Sequence, residues 1–497
     1  MKNLCFLRYS AISIGFALLA HFSYAQVALV VTSPAVGEQM SSPVNFTAAA
    51  TSQDCSAGIN AMRVYPSSGD GAYTVFSDEI NVDLNLTAGS YSAVVVAWDN
   101  CGHVGSEPVN FTVSGETLPP PKFVYTTEYK AGQVAGYVVN PQSGALTPTG
   151  QSPVWAHWGP TSIASDSGGY RLYVANQGSA DVSAYFIDRD DGYLTPVPGA
   201  NFPTGGWSTE IAVHPSNQYV YVTTVNNPGG PPPNENTITA FSVASDGALE
   251  PVPGSPFVTS SSCYALALTP NGNYLYAACN AGIAAYSIDQ STGALTPLAG
   301  SPYTVPPAQC EYCLSFAYID ALAVDRSGKF LFLADYDNGV IYSESIDQST
   351  GTFTDVPGSP FIDDEPRCPR SGYCVGAAPL SISVDARNKF VYVLNQADND
   401  IAAFELDAST GELTLDTLSF PANGGISYTF NEVVRADPSG SFIFALGGYA
   451  PQPGSPETGE LYGFAVDQAD GGLTQVPSSP YLADSQWAGV DGLAVTQ

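Results

Sequence analysis

The chain has 497 residues with 46 acidic and only 14 basic side chains, a net charge of −32 and an apolar share of 44%. A surface this acidic repels phosphodiester backbones instead of releasing their counterions, so nucleic acid is excluded as a partner. Past the N-terminal leader no segment reaches the roughly 18 unbroken apolar residues that a membrane helix needs, so the chain is not expected to span a bilayer.

Residues 1–25 carry Lys2 and Arg8, an apolar run from Ala11 to Ala20, and the small residues Ser23 and Ala25 before Gln26. This is the pattern of a secretory signal peptide. The expected protein is secreted or extracytoplasmic, in the periplasm or at the cell surface. Removing the leader takes two basic residues and no acidic one, which moves the net charge from −32 to −34. It also leaves eight cysteines, an even number in an oxidising compartment, which favours disulfides. Proximity in sequence suggests Cys55–Cys101, Cys263–Cys279, Cys310–Cys313 and Cys368–Cys374, and four-sulfur zinc binding by Cys310, Cys313, Cys368 and Cys374 is the alternative for the last two pairs.

Residues 26–115 alternate short apolar runs (VALVV, VNFTAAA, INAMRVYP, SYSAVVVAWD, VNFTV) with Pro, Gly, Ser and Asp turns, the pattern of a small β-sandwich. Trp98 is expected in its core. The segment resembles bacterial immunoglobulin-like domains, most visibly in SPAVGEQMSSPVNFTA, LTAGSYSAVVVAWD and NFTV. It is read as a spacer or attachment unit. Three consecutive prolines in the stretch 116–122 favour an extended, semi-rigid linker.

From Phe123 to Gln497 a seven-residue spacing ties a polar turn to an aromatic position: Asp166/Tyr173, His214/Tyr221, Thr269/Tyr276, Asp325/Phe332, Asp385/Tyr392 and Asp437/Phe444. Each copy reads strand, turn, strand, then a third strand and a hairpin such as DQSTGALTPLAGSPY. Four strands per copy make a propeller blade, and the hairpin anchors Leu146, Leu194, Leu249, Leu295, Phe353, Leu413 and Leu473 number seven. The predicted class is all-β: a seven-bladed β-propeller over 123–497 behind an N-terminal immunoglobulin-like sandwich. The first copy lacks an innermost strand and GVDGLAVTQ at the C-terminus has the matching pattern, so the two are expected to complete one blade and close the ring. The hairpin residues Asp188, Asp289, Asp347, Asp407 and Asp467 are read as Asx-turn caps.

Aligning the innermost strands exposes positions that no turn requires. Carboxylates from four blades, Glu210, Asp320, Glu432 and Asp491, fall where the tunnel-lining strands begin. Aromatics crowd the preceding loops, among them Trp158, Trp207, Tyr318 and Trp487. Flat rings beside carboxylates suit sugar rings, the acids bonding hydroxyls while the rings stack. The alternative for each carboxylate is a bond to strand-end amides, and for each ring a plug between blades. DYDNG at 335–339 and the run Asp398 to Asp400 hold oxygen ligands suited to calcium, but neither follows an EF-hand pattern and both read as tight turns, so no metal or cofactor is expected.

The repeat VYVLNQADNDIAAFELDASTGELT and its partners resemble the lactonase family of seven-bladed propellers, the 6-phosphogluconolactonase type, over nearly all of 123–497. Related surface-layer and YVTN-type propellers share the repeat. The resemblance implies tunnel-facing His, Glu and Arg residues in lactone-opening members, and TEIAVHPSN carries the glutamate onto Glu210. No His or Arg stands at the equivalent strand positions, Arg435 alone among the basic residues lies near the mouth, and the nearest imidazole is His157 in the WAHWGP loop. The favoured expectation is a monomeric binding platform for a carbohydrate or envelope protein at the tunnel mouth. The alternatives are a secreted hydrolase of a neutral lactone, with Glu210 or Glu432 as general base and His157 assisting, and a surface-layer-like structural protein.

Overall fold

A computed structural model describes residues 27–40, 44–65, 73–84, 89–113, 118–227, 235–306, 317–362, 378–397, 400–419, 433–449, 458–482 and 490–497. The signal peptide, Glu432, Trp487 and the cysteines at 310, 313, 368 and 374 lie outside these residues. The chain divides into two compact units at Thr117/Leu118. No helix is present among the described residues.

The N-terminal unit is a pair of sheets. One joins Val27–Ser33, Val44–Ser52 and Glu79–Leu84; the other joins Gln39–Met40, Val104–Val113, Gly89–Asp99, Ile59–Tyr65 and Tyr73–Val75. Alternate residues turn inward to a common core that includes Phe46, Val64, Val95 and Phe111. Trp98 departs from expectation. It follows the inward-facing Ala97 and is therefore on the opposite face, only half-buried. Cys55 and Cys101 form the expected disulfide, with Cα atoms 5.8 Å apart.

The second unit consists of seven antiparallel sheets, each a blade. From inside outward, blade 2 runs Pro160–Ser165, Arg171–Asn176, Asp181–Ile187, Leu194–Pro203, and blades 3 to 7 repeat this order from the innermost strands Trp207–Val213, Cys263–Leu268, Ile319–Val324, Pro379–Val384 and Val434–Ala436. Blade 1 is composite: the C-terminal strand Val490–Thr496 supplies its innermost strand and pairs with Phe123–Glu128. The ring is closed by hydrogen bonds between the two ends of the propeller sequence, leaving no open edge between first and last blades.

The second strand of every blade is buried on both faces, which is why YLYAAC and FLFLAD read as unbroken apolar runs. In blade 4, Leu275 and Ala277 pack toward blade 3 while Tyr276 and Ala278 pack toward blade 5. Each such large side chain contributes roughly 1.5–3 kcal/mol by burial.

The seven-residue spacing has a physical cause at both ends. At the turn, Asp325, Asp385 and Asp437 accept from the amides of Phe330, Phe390 and Phe442 at 2.8, 2.9 and 2.6 Å, and Thr269 Oγ1 does the same for Tyr274. His214 fills this place in blade 3, its Nε2 2.9 Å from the carbonyl of Gly272 in the next blade. At the aromatic end, the hydroxyls of Tyr125, Tyr221, Tyr276 and Tyr392 donate to the carbonyls of Gly192, Gly293, Gly351 and Gly471, each in the outer hairpin of the following blade. Those glycines have φ near +75°, and a Cβ on Gly351 would fall 2.3 Å from the ring of Tyr274. Glycine is required there by conformation and by space. Tyr173 is the exception, since its hydroxyl is buried without a partner. The hairpin it faces closes Gly247 onto Ala244 across three residues, where the others close across four.

The hairpin aspartates cap their own turns. Asp289 accepts from the amides of Ser291 and Thr292, and Asp347 and Asp407 repeat the pattern. The hydroxyl and amide donors hold all three carboxyls below their ordinary range.

Candidate active site in the central tunnel

Among the described residues, the innermost strands of six blades share one irregularity. Their ladders shift register between Pro160 and Ser162, Ser208 and Glu210, Cys263 and Ala265, Ile319 and Ala321, and Pro379 and Ser381, with a related shift between Val490 and Leu493. Each is a β-bulge that leaves one residue out of the ladder and re-aims its side chain. The extra residues are Thr161, Thr209, Tyr264, Asp320 and Leu380. All five line the same tunnel chamber, of about 510 Å³, together with Glu210, Ala265, Ala321 and Ser381 from the next position. Strict strand alternation would turn only one residue of each pair inward; the bulge turns both.

The five bulged residues are used in two ways. Thr161 Oγ1 donates to the carbonyl of Ser208 in the next blade at 3.1 Å, and Thr209 Oγ1 donates to that of Cys263 at 3.0 Å. In blades 4, 5 and 6 the position holds Tyr264, Asp320 and Leu380, which present side chains to the chamber. Cys263 beside Tyr264 is tied to its ladder partner Cys279 by the expected disulfide.

A second chamber of about 610 Å³ lies toward the turn side of the tunnel, and both chambers are lined by Glu210, Leu266, Leu322, Ile382 and Arg435. Glu210 on blade 3 and Arg435 on blade 7 come from opposite sides of the ring and form the waist between the chambers. Ser162 and Ser381 support them at equivalent positions: Ser162 Oγ accepts from the Ile211 amide at 3.3 Å, and Ser381 Oγ accepts from the Val434 amide at 3.1 Å and lies 3.5 Å from Arg435 Nη1. Arg435 also donates to the Val434 carbonyl. Removal from bulk water pushes the Glu210 carboxyl up to about 7, against the opposing pull of the Arg435 charge and a bond from Ser162. The same desolvation lowers Arg435, and Glu210 resists the shift. Asp320 is pushed up to about 6 by burial and by the charges of Asp337 and Asp335.

Of the residues singled out from sequence, Glu210, Asp320, Trp207 and Tyr318 converge on the upper chamber. His157 does not join them. Its Nδ1 lies 2.6 Å from the Asp181 carboxylate, and it lines neither chamber. Trp158 is 65% exposed, packed edge-on to Trp155, and likewise outside the chambers. Asp491 belongs to the innermost strand of blade 1. Asp335 of the DYDNG stretch is taken up by its own turn, accepting from the Asn338 side chain and the Tyr318 amide. Asp398 lies outside the described residues.

Arg435 is the residue that sequence reasoning undervalued. It stands two residues before the turn anchor Asp437, where blades 3 and 4 carry Ala212 and Ala267 and blade 5 carries Ala323. A lone arginine in a column of alanines and one serine is the signal that was available.

Closed seven-fold sheets around a tunnel with one acid–base waist define the class: a propeller with a buried polar centre. A family model described as lactonase, 7-bladed β-propeller, matches residues 117–207 and 197–311. The 6-phosphogluconolactonase of Bacillus subtilis is 25% identical over 334 residues, covering 64% of this chain and 84% of that protein. Among solved structures, a candidate 6-phosphogluconolactonase from Bacteroides uniformis matches 76% of this chain and all of its own at 15% identity and a TM-score of 0.56. The periplasmic gluconolactonase of Pseudomonas aeruginosa matches 76% of this chain and 99% of its own at 16% identity and a TM-score of 0.55. These structural likenesses carry the fold. The chain resembles the lactonase family of seven-bladed β-propellers, whose model it matches within residues 117–311.

Proposed function

We propose that the protein is an exported lactone hydrolase whose reaction centre is the Glu210–Arg435 waist. The observation that carries this reading is a carboxyl held near pH 7, facing a cationic group across a water-accessible tunnel, in a propeller that resembles the lactonase family. A general base works best when its pKa lies near the operating pH. In the proposed reaction Glu210 takes a proton from water as the water oxygen bonds to the lactone carbonyl carbon. Arg435 faces the negative charge that develops on the carbonyl oxygen. The tetrahedral adduct then breaks its ring C–O bond, the proton held on Glu210 passes to the departing ring oxygen, and a hydroxy acid leaves.

A neutral lactone suits the site better than a phosphorylated one. Arg435 is the one basic residue among those lining the upper chamber, and Asp320 stands there too, whereas phosphate recognition calls for several Arg or Lys donors. Two disulfides, the leader-like N-terminus and the likeness to a periplasmic gluconolactonase support an extracytoplasmic setting. The N-terminal sandwich is then a spacer. The hydrolase reading is preferred to the binding platform because a base at its working pKa opposite a half-buried cation is more than stacking and hydroxyl recognition require.

The test is turnover of a panel of γ- and δ-lactones by the purified protein and by Glu210→Gln. Hydrolysis that falls about 10²–10⁴-fold in the variant supports the assignment. Hydrolysis unchanged in the variant removes Glu210 from the chemistry, and no hydrolysis of any lactone returns the binding platform to first place.

A further inference from the structure

The WAHWGP stretch, residues 155–160, lines neither chamber and has no part in the proposed reaction. Trp155 and Trp158 are 55% and 65% exposed, the two most exposed tryptophans among the described residues. Single exposed apolar residues are ordinary, but these rings lie together, centroids 6.4 Å apart and planes at 86°, as one aromatic surface. The backbone beneath them is tied down from two blades. Trp155 pairs with Gln133 of blade 1, and the Ala156 amide donates to the Gly132 carbonyl at 2.8 Å. From blade 2 the Tyr185 hydroxyl donates to the Trp155 carbonyl at 2.7 Å and Ser183 Oγ to that of Ala156 at 2.6 Å. The amides of Ser179 and Gln177 donate to the carbonyls of Trp158 and Gly159 at 3.1 and 2.7 Å. A Cβ on Gly132 would fall 2.9 Å from the Trp155 ring, so glycine lets that ring rest against the blade 1 turn.

His157, between the two tryptophans in sequence, is fixed as well. Its Nδ1 donates to one oxygen of Asp181 at 2.6 Å, and the other oxygen accepts from Asn176 Nδ2 and Ser179 Oγ at 2.8 and 2.9 Å. A carboxylate only accepts, so the neutral imidazole carries its proton on Nδ1 and offers Nε2 as an acceptor. Nε2 has no hydrogen-bond partner among the described residues, and the side chain is 31% exposed. We propose that this platform is a second binding site, for a neutral polysaccharide, on the rim of the propeller beside the tunnel mouth. Gln177, which holds Gly159, also lines the upper chamber and so ties the platform to that mouth. Two rings at right angles give a floor and a wall for a sugar residue, whose C–H face stacks while a hydroxyl donates to Nε2. The net charge of −32 repels acidic glycans, nucleic acid and anionic lipid. A proline-rich segment docks in a groove lined by aromatic rings, whereas these two rings meet edge to face. The site stands whether or not the tunnel hydrolyses lactones.

The experiment is calorimetric titration of the purified protein with cellohexaose, laminarihexaose, mannohexaose and, as the competing class, decaproline. It is repeated on Trp155→Ala, Trp158→Ala and Trp158→Phe, with the thermal midpoint of each variant measured alongside. The expected result is binding of at least one hexasaccharide, weakened about tenfold in each alanine variant. Trp158→Phe, which keeps a flat ring, should fall between its parent and Trp158→Ala, and it reads the same contact should an alanine variant lose its fold. Because both rings are exposed, the midpoints should stay with the parent. No binding of any of the three sugars overturns the proposal. Sugar binding unchanged in the folded tryptophan variants also overturns it, since the glycan is then held elsewhere. Binding of decaproline in place of the sugars, lost in the alanine variants, makes the platform a peptide site and overturns the glycan.

Discussion

In the second strands of the blades the same chemistry returns at the same spacing: Tyr125, Tyr221, Tyr276 and Tyr392 each end on a glycine carbonyl of the next hairpin. At the bulges of the innermost strands the backbone repeats just as regularly, but the side chains do not. They run Thr161, Thr209, Tyr264, Asp320, Leu380 around the tunnel. The outer strands spend their side chains on joining blades, and so must be alike. The bulge residue lies out of the ladder, so only blades 2 and 3 use it as a tether, and elsewhere it is available to a ligand. A propeller of this kind therefore separates stability from function along each blade, and substitutions in the two regions should fail in different ways.

The largest effect is expected from the one strand that serves both regions. Deleting 490–497 removes the innermost strand of blade 1 and the hydrogen bonds that close the ring. Loss of the cooperative thermal transition of the propeller, read by calorimetry, is the expected outcome; a truncated protein with an unchanged transition would show that closure is dispensable.

Arg435→Met should act on function alone. The prediction is a fall of about 100-fold or more in kcat on a neutral lactone, as for loss of a group that meets transition-state charge, with a thermal midpoint close to the parent. A large drop in the midpoint with activity retained would assign Arg435 to the scaffold.

Tyr276→Phe should do the reverse. It removes the donor to the Gly351 carbonyl and should cost about 1 kcal/mol in denaturant unfolding while leaving kcat unchanged. Tyr173→Phe is its control: with no partner for that hydroxyl, stability should hold or rise. Equal losses in the two variants would show that the blade-to-blade bond carries no net stability.

A pH-dependent effect concerns Glu344, buried in the third strand of blade 5, whose carboxyl is pushed up to about 8 by desolvation and by Asp355 opposite it in the ladder. A folded-state pKa above the unfolded one means that the folded chain holds the proton more tightly. The stabilisation is complete below the unfolded value and is lost as pH rises toward 8. Glu344→Gln, which mimics the protonated form, should match the parent near pH 4 and exceed it in thermal midpoint at pH 9. A midpoint difference that is constant with pH would contradict this.

The fold was almost wholly legible, because turn anchors and buried aromatics recur at one spacing and because GVDGLAVTQ has the pattern that the first blade lacks. Glu210 and Asp320 were legible as carboxylates at strand starts. What escaped was set by geometry that has no residue signature. The bulge is a backbone event, and nothing in Thr161 or Leu380 announces it. His157 looked available as a catalytic imidazole until its partner, 24 residues away in the third strand of blade 2, was seen to be Asp181. Arg435 was visible as the one base near the mouth, but its position opposite Glu210 depends on three blades' rotation around the ring.

The proposed role of Glu210 as the carboxylate base that opens a lactone is tested by the pH dependence of kcat/KM on an unsubstituted δ-lactone, corrected for spontaneous hydrolysis. The predicted profile is low at pH 5 and rises through a single ionisation near pH 7 to a plateau. A rate that is flat from pH 5 to 9, or that falls as pH rises through 7, would contradict it.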